Sequence, residues 1–309
     1  MRNVDMNRTC QRRRGVALVV VGAACGLFGQ LNWGLADTRE DRHALWNEIR
    51  PVALKNCTLR RFGSVNDGGY LMCENLIAGI ESAYSYGIDT EDNWGCEVSQ
   101  RVGVGIHQYD CFTPHRPICS AVKQRWLMRF LERRIGDGRI IRVVQKWLMA
   151  GRFVFHDECI GPKAETIDSH SFDTLASQTA KNGDTGKRLL VKMDIEGAEW
   201  ESLMATPDEV LEKIDQLPLE LHGVDKSRFA EVIRKLKQTF YLVSVHFNNH
   251  ACSDEIDPFP SWAFQVLFVN KRLGVIDPAG PVRQPGSPPD APDNPEKADC
   301  QPTDFFTTK

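Results

Sequence analysis

The sequence predicts an α/β domain in three layers, with a mostly parallel sheet between helices. Three observations carry this. From residue 82 onward, strand-like apolar runs alternate with stretches of helical spacing, five times over. Two later runs, Tyr241-Leu242-Val243-Ser244-Val245-His246-Phe247 and Trp262-Ala263-Phe264-Gln265-Val266-Leu267-Phe268-Val269, have only a polar loop between them, which suits an antiparallel pair closing the sheet. Finally, Leu189-Leu190-Val191 runs straight into Asp194, Glu196 and Gly197, as a buried strand does when it leaves the core at a charged turn.

Length and charge set bounds on this reading. A chain of 309 residues suits one α/β domain with tails, and a net charge of −3 argues against a dedicated nucleic-acid binder. None of the ten cysteines forms a C-x-x-C pair, which excludes a thioredoxin-type motif and a ribbon-type zinc site. Residues 1–36 read as a signal peptide or signal anchor. Arg8, Arg12, Arg13 and Arg14 precede an apolar run over 16–28, and Gly34-Leu35-Ala36 resembles a cleavage site. The rest of the chain is then expected in the secretory pathway, in the ER or Golgi lumen behind a type II anchor or secreted, with membrane contact only through that segment. Eight cysteines remain in this part, an even number that allows full pairing without fixing the connectivity.

Residues 37–81 form a lead-in. Leu45, Trp46 and Ile49 share one face of a short helix, and Asn66-Asp67-Gly68-Gly69 is turn chemistry ahead of a short strand or hairpin arm. The main domain spans 82–275. Its first strand, Ser82-Ala83-Tyr84-Ser85-Tyr86, ends at Gly87-Ile88, with a polar loop from Asp89 to Asn93 and then a helix. The second strand ends at Asp110, about 20 residues beyond the first turn, where a carboxylate commonly grips a ribose hydroxyl pair and where a plain turn Asp is equally at home. Residues 122–135 and 140–149 have helical spacing. A third strand over 152–161 has a polar end at Asp157 and Glu158, facing either an adenine or solvent.

Ser171-Phe172-Asp173-Thr174-Leu175 reads as a helix start, and Arg188 to Met193 as the fourth strand. A fifth strand over 214–222 carries Pro218, which implies an edge or bulge position, and sets Glu220 and His222 on one face. Residues 226–240 form an amphipathic helix. From 276 to 309 proline dominates and apolar residues are sparse, so this tail is expected to be disordered. Gly87, Asp110, Asp194 and His222 all fall at carboxyl ends of predicted strands, where open α/β sheets bind ligands.

Several of these pieces resemble the FkbM-type methyltransferases and their methyltransferase-like eukaryotic relatives, class I S-adenosylmethionine-dependent enzymes. The resemblance covers residues 60–270. It is carried by Phe62-Gly63, Asn66-Asp67-Gly68-Gly69-Tyr70, Tyr84-Ser85-Tyr86-Gly87-Ile88, Tyr109-Asp110, Leu219-Glu220-Leu221-His222 and His246-Phe247-Asn248, and above all by Lys192-Met193-Asp194-Ile195-Glu196-Gly197-Ala198-Glu199. It implies a Rossmann-like, seven-stranded, mostly parallel sheet with an antiparallel last strand. It also implies S-adenosylmethionine at the ends of the first two strands, over Gly87, Ile88, Asp89 and Asp110, with Asp157 nearby. The chain departs from many methyltransferases after Gly87, where Asp89 and Glu91 replace a Gly-x-Gly run.

The expected reaction is methyl transfer to a hydroxyl of a small molecule or glycan, with Asp194 or His222 as base and Glu196 beside them. In an alternative chemistry, Asp194, Glu196, Glu220 and His222 gather a divalent cation. Two other classes compete. A luminal metal-dependent glycosyltransferase would use Asp194-Ile195-Glu196 as its acidic strand end, and an inactive relative would only bind.

Overall fold

A computed structural model describes residues 38–113, 152–300 and 302 of the chain. The expected signal segment and the helical stretches over 122–135 and 140–149 lie outside the described residues. The first elements are helix α1 (Thr38–Glu48), an antiparallel hairpin of β1 (Leu59–Gly63) and β2 (Gly69–Cys73), strand β3 (Ser82–Tyr86), helix α2 (Asn93–Val102), and strands β4 (Gly105–Tyr109) and β5 (Phe153–His156). Short strands β6 (Cys159–Ile160), β7 (Glu165–Ile167) and β8 (His170–Asp173) form a separate small sheet ahead of helix α3 (Leu175–Lys181). Strand β9 (Leu189–Met193), helices α4 (Glu199–Ala205) and α5 (Asp208–Leu211), strand β10 (Ile214–His222), helix α6 (Ser227–Thr239), and strands β11 (Phe240–Phe247) and β12 (Ala263–Asn270) complete the domain.

The main sheet has seven strands in the order β11-β12-β10-β9-β3-β4-β5. Strands β5, β4, β3, β9 and β10 run parallel, and β12 lies antiparallel between β10 and β11. The expected architecture is therefore present. Its physical basis is visible in β9, where all five residues are buried. Leu189, Val191 and Met193 join the apolar cluster of one face, with Trp200, Leu219 and Phe229, while Leu190 joins that of the other, with Phe62, Met72 and Trp94. A strand covered on both faces reads as continuous apolar sequence rather than alternation.

Three expectations are corrected. Pro218 is not at an edge. It sits inside β10, paired with Leu267, and the register shift in β10 falls between Ile214 and Gln216 instead. Proline removes only one donor from a ladder bonded on two sides, and its fixed φ is compatible with extended backbone. Ser171 to Asp173 is the end of β8, and the helix begins only after Thr174, whose side chain accepts from Ser177 N. The third correction concerns the tail. Residues 276–300 lie against the domain, held by polar and covalent links that an apolar count does not register.

Ile276 bridges to Leu54, and Asp290 Oδ1 is 2.6 Å from Arg61 Nη1. The Asn249 amide donates to the Asn294 and Lys297 carbonyls, and His246 Nε2 meets Asp299 Oδ1 at 3.1 Å. Cys252–Cys300 closes this segment. The other described disulfides are Cys57–Cys73 and Cys111–Cys159, and Cys96 is also disulfide-bonded. The Cys252–Cys300 bridge spans a sequence separation of 48. A loop of that size restricts the unfolded chain enough that removing the bridge should cost about 2–4 kcal/mol. Urea denaturation of the C252S/C300S double variant measures this cost, and an unchanged midpoint would mean that the polar contacts alone hold the tail.

Candidate active site

The carboxyl ends of β3, β4, β9 and β10 come together at one edge of the sheet. Gly87 leaves β3 at φ +68°, with its N–H on the Tyr109 carbonyl at 3.0 Å. A Cβ there would stand 2.7 Å from the Asp194 carbonyl carbon and closer still to its oxygen, so the two strand ends touch only because residue 87 is glycine. Asp110 closes the same loop. Its Oδ2 accepts from Ile88 N (3.2 Å) and Asp89 N (2.9 Å), and its Oδ1 from Phe112 N (2.9 Å) and Thr113 N (3.0 Å). This single carboxylate shapes the turns after both β3 and β4. Asp89 itself has positive φ and an exposed side chain. Asp157 follows β5, the outermost parallel strand, and is exposed.

Asp194 follows β9. Its Oδ2 accepts from the buried Tyr70 hydroxyl at 2.8 Å and from Lys192 Nζ at 3.4 Å. The same ammonium donates to the Tyr86 carbonyl (3.1 Å) and the Gly87 carbonyl (2.8 Å), which ties the β3 loop to the β9 end. The Asp-Ile-Glu-Gly-Ala-Glu junction is folded by its last residue. Glu199, fully buried in the first turn of α4, reaches back to accept from Ile195 N (2.8 Å) and Gly197 N (3.0 Å). Gly197 takes φ +109°, a region closed to other residues.

Glu199 also meets His222 Nδ1 at 3.1 Å, and the Trp200 indole holds the His222 carbonyl at 2.7 Å. Glu220, two residues earlier on the same face of β10, receives Asn248 Nδ2 at Oε1 (2.6 Å) and Gln265 Nε2 at Oε2 (3.1 Å). Gln265 Nε2 is also 3.1 Å from Asp293 Oδ1 of the tail.

The result is a cluster in which ligand atoms of Asp194, Glu220 and His222 lie within 4.8 Å of one another. Glu196 stands beside it at φ +58°, its Oε2 3.7 Å from His222 Nε2 and its side chain 60% exposed. The four strand-end residues of the sequence reading thus fall into two linked groups, the Gly87–Asp110 loop and the Asp194–His222 cluster. Burial by itself would raise the Asp194 carboxyl, but the Lys192 ammonium, His222 and the Tyr70 hydrogen bond outweigh it and hold the group below the ordinary carboxylate range. Glu220 is pushed up to about 8 by burial and then by the neighbouring Asp194 charge. For His222, burial acts downward and is outweighed by Glu199, Glu220 and Asp194, which hold it well above the usual imidazole value.

Sequence reasoning missed three contributors. Tyr70 follows a turn motif and reads only as part of a hairpin arm, with no signal that its hydroxyl reaches the site. Lys192 was visible as a lone charge inside an apolar strand. Glu199 was part of the strongest motif but was given no role.

Sheet order, the antiparallel β12 and the flanking helices make this a Rossmann-like three-layer fold. Among solved structures the chain is similar to methyltransferase FkbM from Methylobacillus flagellatus KT, at 14% identity and TM-score 0.36, over 62% of this chain and 44% of that one. It therefore spans less than half the length of that protein. It is also similar to a fibrillarin pre-rRNA processing protein of Methanococcus jannaschii, at 11% identity and TM-score 0.31, over 63% of this chain and 68% of that one. A third similar structure is TrmK of M. capricolum in complex with S-adenosyl-homocysteine, at 10% identity and TM-score 0.29, over 63% of this chain and 66% of that one. No protein-family model and no curated protein matches the sequence.

Proposed function

We propose that the chain is an S-adenosylmethionine-dependent methyltransferase that methylates a hydroxyl of a small molecule or glycan in the secretory pathway. One observation carries this reading. The Lys192 ammonium joins the Gly87 loop, where the cofactor would lie, to the ionised Asp194, where the acceptor would lose its proton. A sulfonium is a reactive donor, so much of the catalytic task is to align the hydroxyl with the methyl group. The negative cluster then stabilises the proton as it leaves oxygen. Among the sequence candidates Asp194 is the group placed to take that proton, since its Oδ2 already accepts from Tyr70 and Lys192 beside the Gly87 loop, while Glu199 orients His222 next to it.

Calorimetry of the full chain with S-adenosylmethionine and S-adenosylhomocysteine tests the proposal. Binding of a UDP-sugar with neither of these would replace it with a glycosyltransferase. Cofactor binding also has a local prediction. Asp110→Ala removes the carboxylate around which the Ile88–Asp89 turn is folded, and affinity for S-adenosylhomocysteine should fall by about 1.5–3 kcal/mol, the worth of a charged hydrogen bond. Unchanged affinity in a folded variant would remove Asp110 from the cofactor site.

The disulfides motivate the luminal location, since such bridges persist in oxidising compartments. In sealed microsomes the domain should resist added protease until detergent is present; digestion without detergent would refute that location. The net charge of −3 favours a neutral or small acceptor over nucleic acid.

A further inference from the structure

We infer that Asp194, Glu220 and His222 form a binding site for one divalent cation of the Mn²⁺ or Mg²⁺ type. The inference deepens the methyltransferase reading and rests on it only for the cation's catalytic use. The distances come first. Two carboxylates and an imidazole offer ligand atoms within 4.8 Å of one another, and Glu220 is only 4% exposed. Two carboxylates this close, one of them buried, keep both charges more readily beside a bound cation than beside their protein neighbours alone. The Lys192 ammonium is already shared between two backbone carbonyls and Asp194 Oδ2, so it supplies only part of that countercharge.

A second observation concerns how each group is held from behind. Metal-binding histidines commonly donate their other ring N–H to a carboxylate, which fixes the tautomer and aims the remaining nitrogen. His222 has this arrangement: Nδ1 is on the buried Glu199, while Nε2 lies 3.8 Å from Glu220 Oε1 and 3.7 Å from Glu196 Oε2. Neither distance is a hydrogen bond. Glu199 is itself fixed by the Ile195 and Gly197 N–H groups. Glu220 is oriented by two side-chain amides, Asn248 and Gln265, which bring no charge to neutralise it. Asp194 is held through Oδ2 by Tyr70 and Lys192. All three groups thus have their outer side anchored by partners from different elements.

The donor set, two oxygens and one nitrogen, suits a hard cation that tolerates one imidazole, and three protein ligands leave positions for an acceptor oxygen. A hydroxyl bound there is acidified. Its O–H bond breaks, the proton passes to the Asp194 carboxylate and from there toward solvent, the oxygen forms a bond to the methyl carbon, and the carbon–sulfur bond breaks to leave a neutral thioether.

The experiment is titration of the full chain with Mn²⁺ alone, followed by electron paramagnetic resonance, with S-adenosylhomocysteine binding measured separately. One Mn²⁺ per chain is expected, with a nitrogen hyperfine coupling from one imidazole that changes in protein carrying ¹⁵N-histidine. Glu220→Gln and His222→Gln should each weaken Mn²⁺ binding at least about tenfold, and Glu199→Gln, which loosens both the Nδ1 partner of His222 and the Ile195–Gly197 turn, about 10–100-fold. The coupling is read on the wild-type chain, so the test survives a variant that fails to fold. Absence of stoichiometric Mn²⁺, or Mn²⁺ bound without a nitrogen coupling, overturns the site even if S-adenosylhomocysteine binds. Mn²⁺ bound as described without S-adenosylhomocysteine binding supports the site and sinks the methyltransferase reading instead.

Discussion

Replacing Asp194 with asparagine should leave a folded protein that binds S-adenosylhomocysteine within about tenfold of wild type and turns over at least about a hundredfold more slowly. The amide keeps the shape of the side chain, and its oxygen can still accept from Tyr70, now 2.8 Å from Oδ2. It carries no charge and is a poor proton acceptor and a poor ligand for a hard cation. The loss is therefore confined to the step that removes the hydroxyl proton. The side chain is 21% exposed, so the variant buries little that was not already partnered. Methyl transfer to the acceptor, or slow cofactor turnover in its absence, is the assay. Near-wild-type turnover in a folded variant would return the Asp-x-Glu-Gly junction to a purely structural role.

The second large effect is expected at Gly87. Alanine there is forced into φ +68°, which costs an L-residue about 1–2 kcal/mol, and its methyl collides with the Asp194 carbonyl. Relief requires the β3 and β9 ends to separate, a form of overpacking worth about 1–3 kcal/mol more. Lys192 bonds to both ends, so the separation reaches the loop and the carboxylate together. Gly87→Ala should therefore lose about 2–5 kcal/mol of stability, measured by denaturant unfolding, and bind S-adenosylhomocysteine at least about tenfold more weakly. A variant with native stability would show that the strand ends separate at no cost.

These two residues also mark how far the sequence reaches. Asp194 and Gly87 were legible because both stand where an apolar run ends, and the end of a buried strand is where an open sheet places its site. The same logic found Asp110 and His222. It did not find Tyr70, whose hairpin is remote in sequence yet lies over the β9 end, where its hydroxyl meets Asp194. Composition likewise misjudged residues 276–300. Proline-rich, apolar-poor sequence has little to bury, but Asp290 and Asp293 meet Arg61, and Cys300 meets Cys252, through pairings with no local signal.

What the sequence determined by itself is the layer architecture and the edge of the sheet that carries the chemistry. Strand periodicity, the alternation with helices and the acidic strand ends are local properties, repeated often enough to agree. The tertiary structure decided which of those ends face one another. The hydrogen bonds that convert Asp194, Glu220 and His222 from three strand-end residues into one cluster come from Tyr70, Glu199, Asn248 and Gln265. Those partners sit on a hairpin, a helix and two later parts of the chain. Their convergence follows from strand order and register, and no spacing within a single stretch encodes it.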